Sequence, residues 1–285
     1  MTDKQRPFLK WAGNKYRIIS EIQSILGQFA DSRRLVEPFV GSGAVFLNTD
    51  YPEYLLADNN ADLIRLYQYL QTEGPEFIHF CHSFFKPENN CKEAYYELRS
   101  LFNQSQDTRL RAALFVYFNK HGYNGLCRYN LQGGFNVPFG QYKSPYFPEK
   151  EMLYFYQKSQ NAVFCVADFI KTFRKARIGD VVYCDPPYVP LSSTASFTTY
   201  SQGGFSLVDQ QQLATLANKL TAQGIPVLIS NHDTPFIREA YNHAVIQELS
   251  VQRSISCNGS RRERADEVLA LFHSSSSINM ATMSR

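Results

Sequence analysis

Residues 33–58 read RRLVEPFVGSGAVFLNTDYPEYLLAD, and the order of their parts decides the fold. Residues 33–38 read as a short strand, which leads into the glycine-bearing turn Gly41-Ser42-Gly43. Ala44 to Asn48 then opens like a helix, and Tyr54 to Asp58 is a second apolar run closed by a carboxylate. Strand, glycine turn, helix, strand and acid in that order are the nucleotide-site plan of a doubly wound α/β unit. Small residues let the backbone approach a ligand, and an acid ending the second strand can bind ribose hydroxyls. The turn holds one GxG and lacks the third glycine of a dinucleotide site, so a cofactor without a pyrophosphate fits better than NAD. A plain structural turn followed by a surface Asp is the competing reading.

Further along, residues 59–114 are mainly helical in pattern, with apolar positions recurring at three and four: Leu63, Leu66, Tyr67 and Leu70, then Tyr95, Leu98, Leu101 and Phe102. Residues 115–147 differ in character, holding ten Phe/Tyr and five Gly with little clean periodicity, and read as a loop-rich stretch. Strand-like runs resume at 162–166, 181–184, 226–230 and 268–272, with a crossover helix expected over 209–220. Strand-bearing segments at both ends and a helical, loop-rich middle predict an α/β domain (1–60 and 149–285) interrupted by an insertion (61–148). Ser274–Ser277 begins a small polar tail that reads as disordered.

At 285 residues, the chain suits one large domain or a core carrying an insertion. Hydrophobic residues at 44% and charged residues at 19% describe a soluble globular protein. No apolar run approaches a membrane span, and Asp3, Lys4 and Arg6 are not followed by a signal-peptide core, so the cytoplasm is the expected location. Six cysteines with irregular spacing and no C-x-x-C pair favour free thiols over a disulfide framework or zinc site. His79, Cys81 and His82 have no second ligand pair at zinc-like spacing, so no metal is expected. The net charge is +3, and the positive residues gather in zones. Residues 1–34 carry seven Lys/Arg against three acids and residues 86–150 nine against five; Arg253, Arg261, Arg262 and Arg264 form a third group. Such zones can converge on a phosphate backbone or remain solvated faces.

Three stretches carry chemistry. Asp185-Pro186-Pro187-Tyr188 closes the apolar run 180–184 at a predicted strand end, where α/β folds place their ligands. Asp185 and the carbonyl of Pro186 can accept hydrogen bonds from an exocyclic amine, the two prolines stiffen the turn, and Tyr188 offers a ring for stacking. An ordinary strand-to-loop exit is the alternative, since Asp and Pro both favour turns. Residues 119–130, NKHGYNGLCRYN, are dense in groups able to read base edges, although an ordered Gly/Tyr loop would look similar. Residues 8–15, FLKWAGNK, place two lysines and the chain's one tryptophan around a glycine; Trp11 reads either as a ligand contact or as core packing.

In combination these stretches closely resemble the DNA adenine-N6 methyltransferases of the Dam type. The resemblance runs from about Phe8 to Phe272 and rests on residues 8–15, 37–43 (EPFVGSG), 123–130, 135–142 (FNVPFGQY), 185–188, 228–233 (LISNHD) and 253–259 (RSISCNG). The order of donor turn, insertion and catalytic motif is that of the alpha group of these enzymes. The resemblance implies a Rossmann-like methyltransferase sheet with a mainly helical target-recognition insertion. It places S-adenosylmethionine on Trp11, Lys15, Glu37, Phe39, Gly41, Gly43, Asp58 and Asp185, with S-adenosylhomocysteine as product. Catalysis falls on Asp185, Pro186 and Tyr188. Readout of double-stranded GATC falls on Lys10, Asn124, Leu126, Arg128, Pro138 and Tyr142, with Tyr123 inserted into the duplex and the target adenine flipped out. A bacterial or phage-encoded, nucleoid-associated monomer is implied, with no metal. Two departures stand out: Asn14 where the family usually has Gly, and Cys257 where Ser is common. Rival readings are transfer to cytosine N4, RNA adenine or protein glutamine, and a catalytically silent DNA binder. The Asp that opens the 185–188 motif and the DNA-reading insertion argue against the first group, and the intact motif against the last.

Overall fold

The apolar runs become strands of a seven-stranded sheet in the computed structural model, which describes residues 4–188, 205–252 and 264–274. In chain order they are β1 (Arg34–Glu37), β2 (Glu53–Asp58), β3 (Ala162–Val166), β4 (Asp180–Cys184), β5 (Val227–His232), β6 (Val245–Gln252) and β7 (Arg264–Phe272). Their order across the sheet is β3-β2-β1-β4-β5-β7-β6. The helices among the described residues are α1 (Ile19–Leu26), α2 (Ala44–Leu47), α3 (Ala61–Glu73), α4 (Pro75–His82), α5 (Lys92–Gln104), α6 (Thr108–His121), α7 (Glu149–Lys158), α8 (Phe169–Phe173), α9 (Leu207–Ala222) and α10 (Pro235–Ala240). The protein is therefore α/β, as its alternating pattern predicts.

Two compact units share these elements. One comprises Met1–Gln23, Val40–Asp50 and Tyr54–Val166. In it β2 and β3 pair in parallel from Tyr54↔Ala162 to Asp58↔Val166. Phe8, Phe46, Tyr67, Phe155 and Phe164 interlock beside them, with Tyr67 stacked on Phe155 at 4.7 Å between ring centres. Helix α3 begins at Asn60, whose side chain accepts from the Leu63 N–H and so satisfies one exposed helix donor. A second aromatic cluster, Tyr95, Phe102, Phe118 and Phe135, joins α5 and α6 to the loop that follows.

The stretch 115–147 is more ordered than its sequence suggests. α6 runs on to His121, and every residue from Ala112 to His121 is buried. A helix covered on all sides shows no amphipathic stripe, so its period is invisible in the sequence. Beyond it, bridges Gly122↔Phe139 and Tyr129↔Phe135 close the remainder into a hairpin-like loop.

The other unit comprises Ser24–Phe39, Tyr51–Glu53 and Ala167–Arg285. Parallel β1, β4 and β5 are extended by antiparallel β7 and β6. Val181, Val182, Tyr183, Cys184, Leu228 and Ile229 are essentially inaccessible, as continuous apolar runs in a doubly covered sheet require. Arg34 and Asp180 are register partners and form a buried ion pair of 2.7 Å, which locks β1 against β4. Strand order reverses between these two neighbours, and such a switch point is where an open α/β sheet presents a ligand crevice. The chain leaves β1 at Glu37 and β4 at Asp185.

Candidate active site

In the first unit, the donor-turn residues meet around Gly41. Gly41 has φ +47°, and a Cβ built there would stand 2.9 Å from Trp11 Nε1 and 3.2 Å from its Cδ1. The indole therefore lies flush against bare backbone, a position open only to glycine. Gly43, with φ +73°, precedes α2 in the left-handed conformation. Asp58 Oδ2 accepts the Gly41 N–H at 3.2 Å and Oδ1 accepts the Asn60 N–H at 2.9 Å. Burial nonetheless raises the Asp58 carboxyl above its ordinary value, these backbone donors opposing the shift. A carboxylate has about four acceptor sites, so both oxygens retain capacity for ribose hydroxyls. Lys15 is buried and donates from Nζ to the Gly13 carbonyl at 2.7 Å. Asn14 keeps an ordinary backbone (φ −52°) and its Oδ1 accepts from the Tyr16 N–H, so the residue serves as a cap and a glycine is not required there.

In the second unit, β4 delivers Asp185. The Ser230 hydroxyl on β5 lies 3.0 Å from Asp185 Oδ1, and the Tyr183 hydroxyl lies 3.1 Å from Ser230 Oγ. Pro186 is buried, and the carbonyl of Pro187 accepts from Gln210 Nε2 on α9 at 2.8 Å. Tyr188 donates to Glu267 Oε2 on β7 at 3.0 Å, and its ring meets His232 edge-on at 4.7 Å. Burial pushes the Tyr188 phenol well above its usual value, with the Asp185 and Glu267 charges adding to the effect. Glu37 ends β1 fully buried. Phe39 stacks on Phe169 at 5.7 Å and meets Phe205 edge-on, so the structure places its ring in an aromatic cluster.

The base-reading candidates gather in the first unit, far apart as they are in sequence. Asn119, buried on α6, accepts the Lys10 N–H at 2.8 Å and donates to the Lys10 carbonyl at 2.7 Å. Lys10 Nζ then lies 4.4 Å from the centre of the Tyr142 ring, and the Tyr142 hydroxyl accepts the Asn124 N–H at 3.0 Å. The Pro138 carbonyl accepts the Tyr123 N–H, and the Tyr123 carbonyl accepts from Leu126. Tyr123 is 52% exposed, Leu126 and Arg128 are exposed, and Asn124 sits at φ +52°. Arg128 is held in place by Asn136, through Nε to Oδ1 at 2.8 Å and Nη2 to the carbonyl at 3.1 Å.

Several supporting residues carry no signal that the sequence reading used. Buried Asp62 on α3 takes a bidentate pair from Arg111 (Nε to Oδ1 at 3.0 Å, Nη2 to Oδ2 at 2.8 Å) and accepts a further bond from the Tyr129 hydroxyl, which ties Tyr129 to α3. Asn60, which caps α3, also donates to Cys127 Sγ at 3.3 Å. Among the described residues no group of three His, Cys, Asp or Glu is placed to hold a metal. Cys81 on α4 is buried and its thiol is pushed far up by burial. No described helix is long and apolar enough to cross a membrane. The motif 253–259 with Cys257, the side chains of the Arg253–Arg264 group, and the tail from 275 lie outside the described residues.

Residues 11–255 match the family model of the D12 class N6 adenine-specific DNA methyltransferases. The DNA adenine methylase of Vibrio cholerae serotype O1 is 53% identical over 270 residues, covering 94% of this chain and 96% of that protein. Those of Escherichia coli and Serratia marcescens are 52% and 50% identical, again over 94% of this chain and over 96% and 99% of theirs. A solved precorrin 8W decarboxylase aligns over 95% of this chain and 96% of its own, at 10% identity and a TM-score of 0.39, too slight a likeness to carry weight.

Proposed function

The chain belongs to the D12 class of N6 adenine-specific DNA methyltransferases, and on that premise we propose that it methylates N6 of a flipped-out adenine in double-stranded GATC from S-adenosylmethionine. The observation that carries this reading is Asp185 standing at the end of β4 with its carboxylate Oδ1 3.0 Å from the Ser230 hydroxyl. Residues 61–148 serve as the target-recognition part, and the remainder as the catalytic domain.

The residues present fit the donor. Trp11, seated flush against the bare backbone of Gly41, offers its indole to a flat moiety, and Asp58 keeps acceptor capacity for ribose hydroxyls. Lys15, Glu37 and Phe39 complete the proposed contacts. When bound, S-adenosylmethionine supplies an electrophilic sulfonium methyl. The residues of this chain do the positioning. Adenine N6 is a poor nucleophile because its lone pair is delocalised into the ring. Asp185 and the carbonyl of Pro186 accept its two N–H bonds, which turns the lone pair out of conjugation and toward the methyl. The work is orientation and fixed electrostatics rather than strong-base chemistry. An amine inside a duplex cannot reach the donor, so the base must leave the stack at a cost of about a few kcal/mol. The Tyr188 ring, held by Glu267 at its hydroxyl and in a T-shaped contact with His232, is the surface on which the extruded base stacks. Lys10, Asn124, Leu126, Arg128, Pro138 and Tyr142 read the site, and exposed Tyr123 fills the gap left in the duplex.

Incubation with tritiated donor and a GATC duplex should put label into N6-methyladenine, and D185A should abolish it while sparing most DNA binding. Label in cytosine, or in RNA but not duplex DNA, would install a rival substrate; absence of label with intact DNA binding would favour a silent binder.

A further inference from the structure

Ser230, within the segment 228–233, stands directly behind the carboxylate of Asp185. Ser230 is fully buried on β5, and β4 and β5 pair with Cys184 opposite Ile229, which sets residue 230 beside residue 185. Its Oγ lies 3.0 Å from Asp185 Oδ1, 3.1 Å from the Tyr183 hydroxyl and 3.3 Å from the Cys184 carbonyl.

The directions of these bonds follow from proton counting. An ionised carboxylate can only accept, so the bond to Asp185 takes the one proton of Ser230. The charged acceptor at 3.0 Å outcompetes the neutral carbonyl at 3.3 Å for it. Tyr183 must then donate to Ser230. Burial holds the Tyr183 phenol far above its usual range, so that donor stays protonated. The result is a one-way chain, Tyr183 to Ser230 to Asp185. Its significance lies in the torsion it controls. The χ1 of an aspartate is confined to staggered wells, but χ2, which sets the plane of the carboxylate, is broad. Nothing intrinsic to Asp185 therefore fixes the plane in which it accepts an amine proton.

We propose that Ser230 is a positioning residue for methyl transfer, fixing the carboxylate plane of Asp185 through a hydroxyl chain that begins at Tyr183. The proposal rests on Asp185 being the acceptor of the adenine amine. Ser230 does not touch substrate in this scheme, so its removal should act on kcat and leave both substrate affinities nearly unchanged. A hydrogen bond to a charged group of the usual strength predicts a fall in kcat of about tenfold or more for S230A. KM for the donor and for duplex should stay within about twofold. S230T, which restores a hydroxyl on the same carbon, should recover most of the loss. Y183F removes the first donor without changing ring volume and should lower kcat in the same direction by a smaller factor.

The decisive experiment is steady-state methylation by wild type, S230A, S230T, Y183F and D185A on one GATC duplex, with thermal unfolding of each. Reduced kcat at constant KM in S230A, recovered in S230T, supports the proposal. Wild-type kcat in S230A while D185A is dead overturns the role of Ser230 and leaves that of Asp185 standing. Turnover retained in D185A overturns the reading of Asp185 itself. Equal losses in S230A and S230T tracking their unfolding temperatures would make Ser230 a packing residue and overturn the proposal.

Discussion

Replacing Gly41 by alanine separates backbone strain from close approach to Trp11. Gly41 sits at φ +47°, and a residue with a Cβ in the left-handed region is disfavoured by roughly 1–2 kcal/mol. For a chain of this size that corresponds to a fall of about 2–4 °C in Tm per kcal/mol. The new Cβ would also stand 2.9 Å from Trp11 Nε1, inside the ordinary carbon contact distance of about 3.5–4.0 Å. The indole must therefore move by about half an ångström or more, or the turn must move and stretch the Gly41 N–H bond to Asp58. Either displacement falls on two proposed donor contacts. A loss of about 1.4 kcal/mol gives a tenfold rise in Kd, and G41A should reach at least that. Trp11 is the chain's one tryptophan, so its emission reports the shift directly. The control is G224A. Gly224 has φ +81° and nothing within 4 Å of a built Cβ, so it carries the strain without the clash. Calorimetric titration with S-adenosylmethionine should show weakened binding and an altered emission spectrum in G41A. G224A should lose comparable Tm and bind like wild type. Wild-type affinity and emission in G41A would refute the idea that close approach of the indole is why residue 41 is glycine.

Other consequences follow from single contacts. R128A should lower discrimination at one base pair of the site by roughly 1–3 kcal/mol, read by binding to duplexes altered one pair at a time; unchanged preference would remove Arg128 from readout. R111A leaves the carboxylate of Asp62 buried with its bidentate partner gone, and should cost roughly 3–5 kcal/mol in denaturant unfolding. His121 is 2% exposed, and burial lowers its pKa from 6.5 to about 4. Between those values the unfolded chain binds a proton that the folded chain refuses, so stability is complete above the unfolded pKa and falls as pH drops from 6.5 toward 4. The loss is on the order of 3 kcal/mol. H121F keeps a ring against Tyr117 and Phe85 and should flatten that slope in urea midpoints taken across the window; an equally steep slope would assign the effect to other groups.

The parts of the fold legible in the sequence are those whose chemistry is local. Gly41 and Gly43 announce a turn because their backbone demands it, and the run before Asp185 announces a strand because both faces of β4 are covered. The parts missed lack such a signature. β6, VIQELSVQ, is an edge strand hydrogen-bonded to β7, and its described residues are half-buried or exposed, so half of its composition is polar and its period is faint. α6 fails in the opposite way, since burial on every side erases the stripe by which a helix is recognised.

For the proposed site, the dividing line is between the residues assigned the chemistry and the residues that place them. Asp185, Tyr188, Arg128 and Lys10 are conspicuous because charge, aromaticity and proline neighbours are rare in that combination. What holds them is spread over the chain in ordinary residue types: Asn119 clasps the backbone of Lys10 from 109 positions away, and Asn136 braces Arg128 across the hairpin-like loop. Ser230 is the sharpest case. A serine within an apolar strand run reads as a filler in the pleat, and no spacing rule connects it to a residue 45 positions earlier. The connection exists because β5 pairs with β4 in a register that puts Ile229 opposite Cys184, so the next residue on each strand comes side by side. Register is a property of the assembled sheet, fixed by what β4 and β5 bury together. A one-residue slip would turn Ser230 to the other face and take its hydroxyl away from the carboxylate of Asp185.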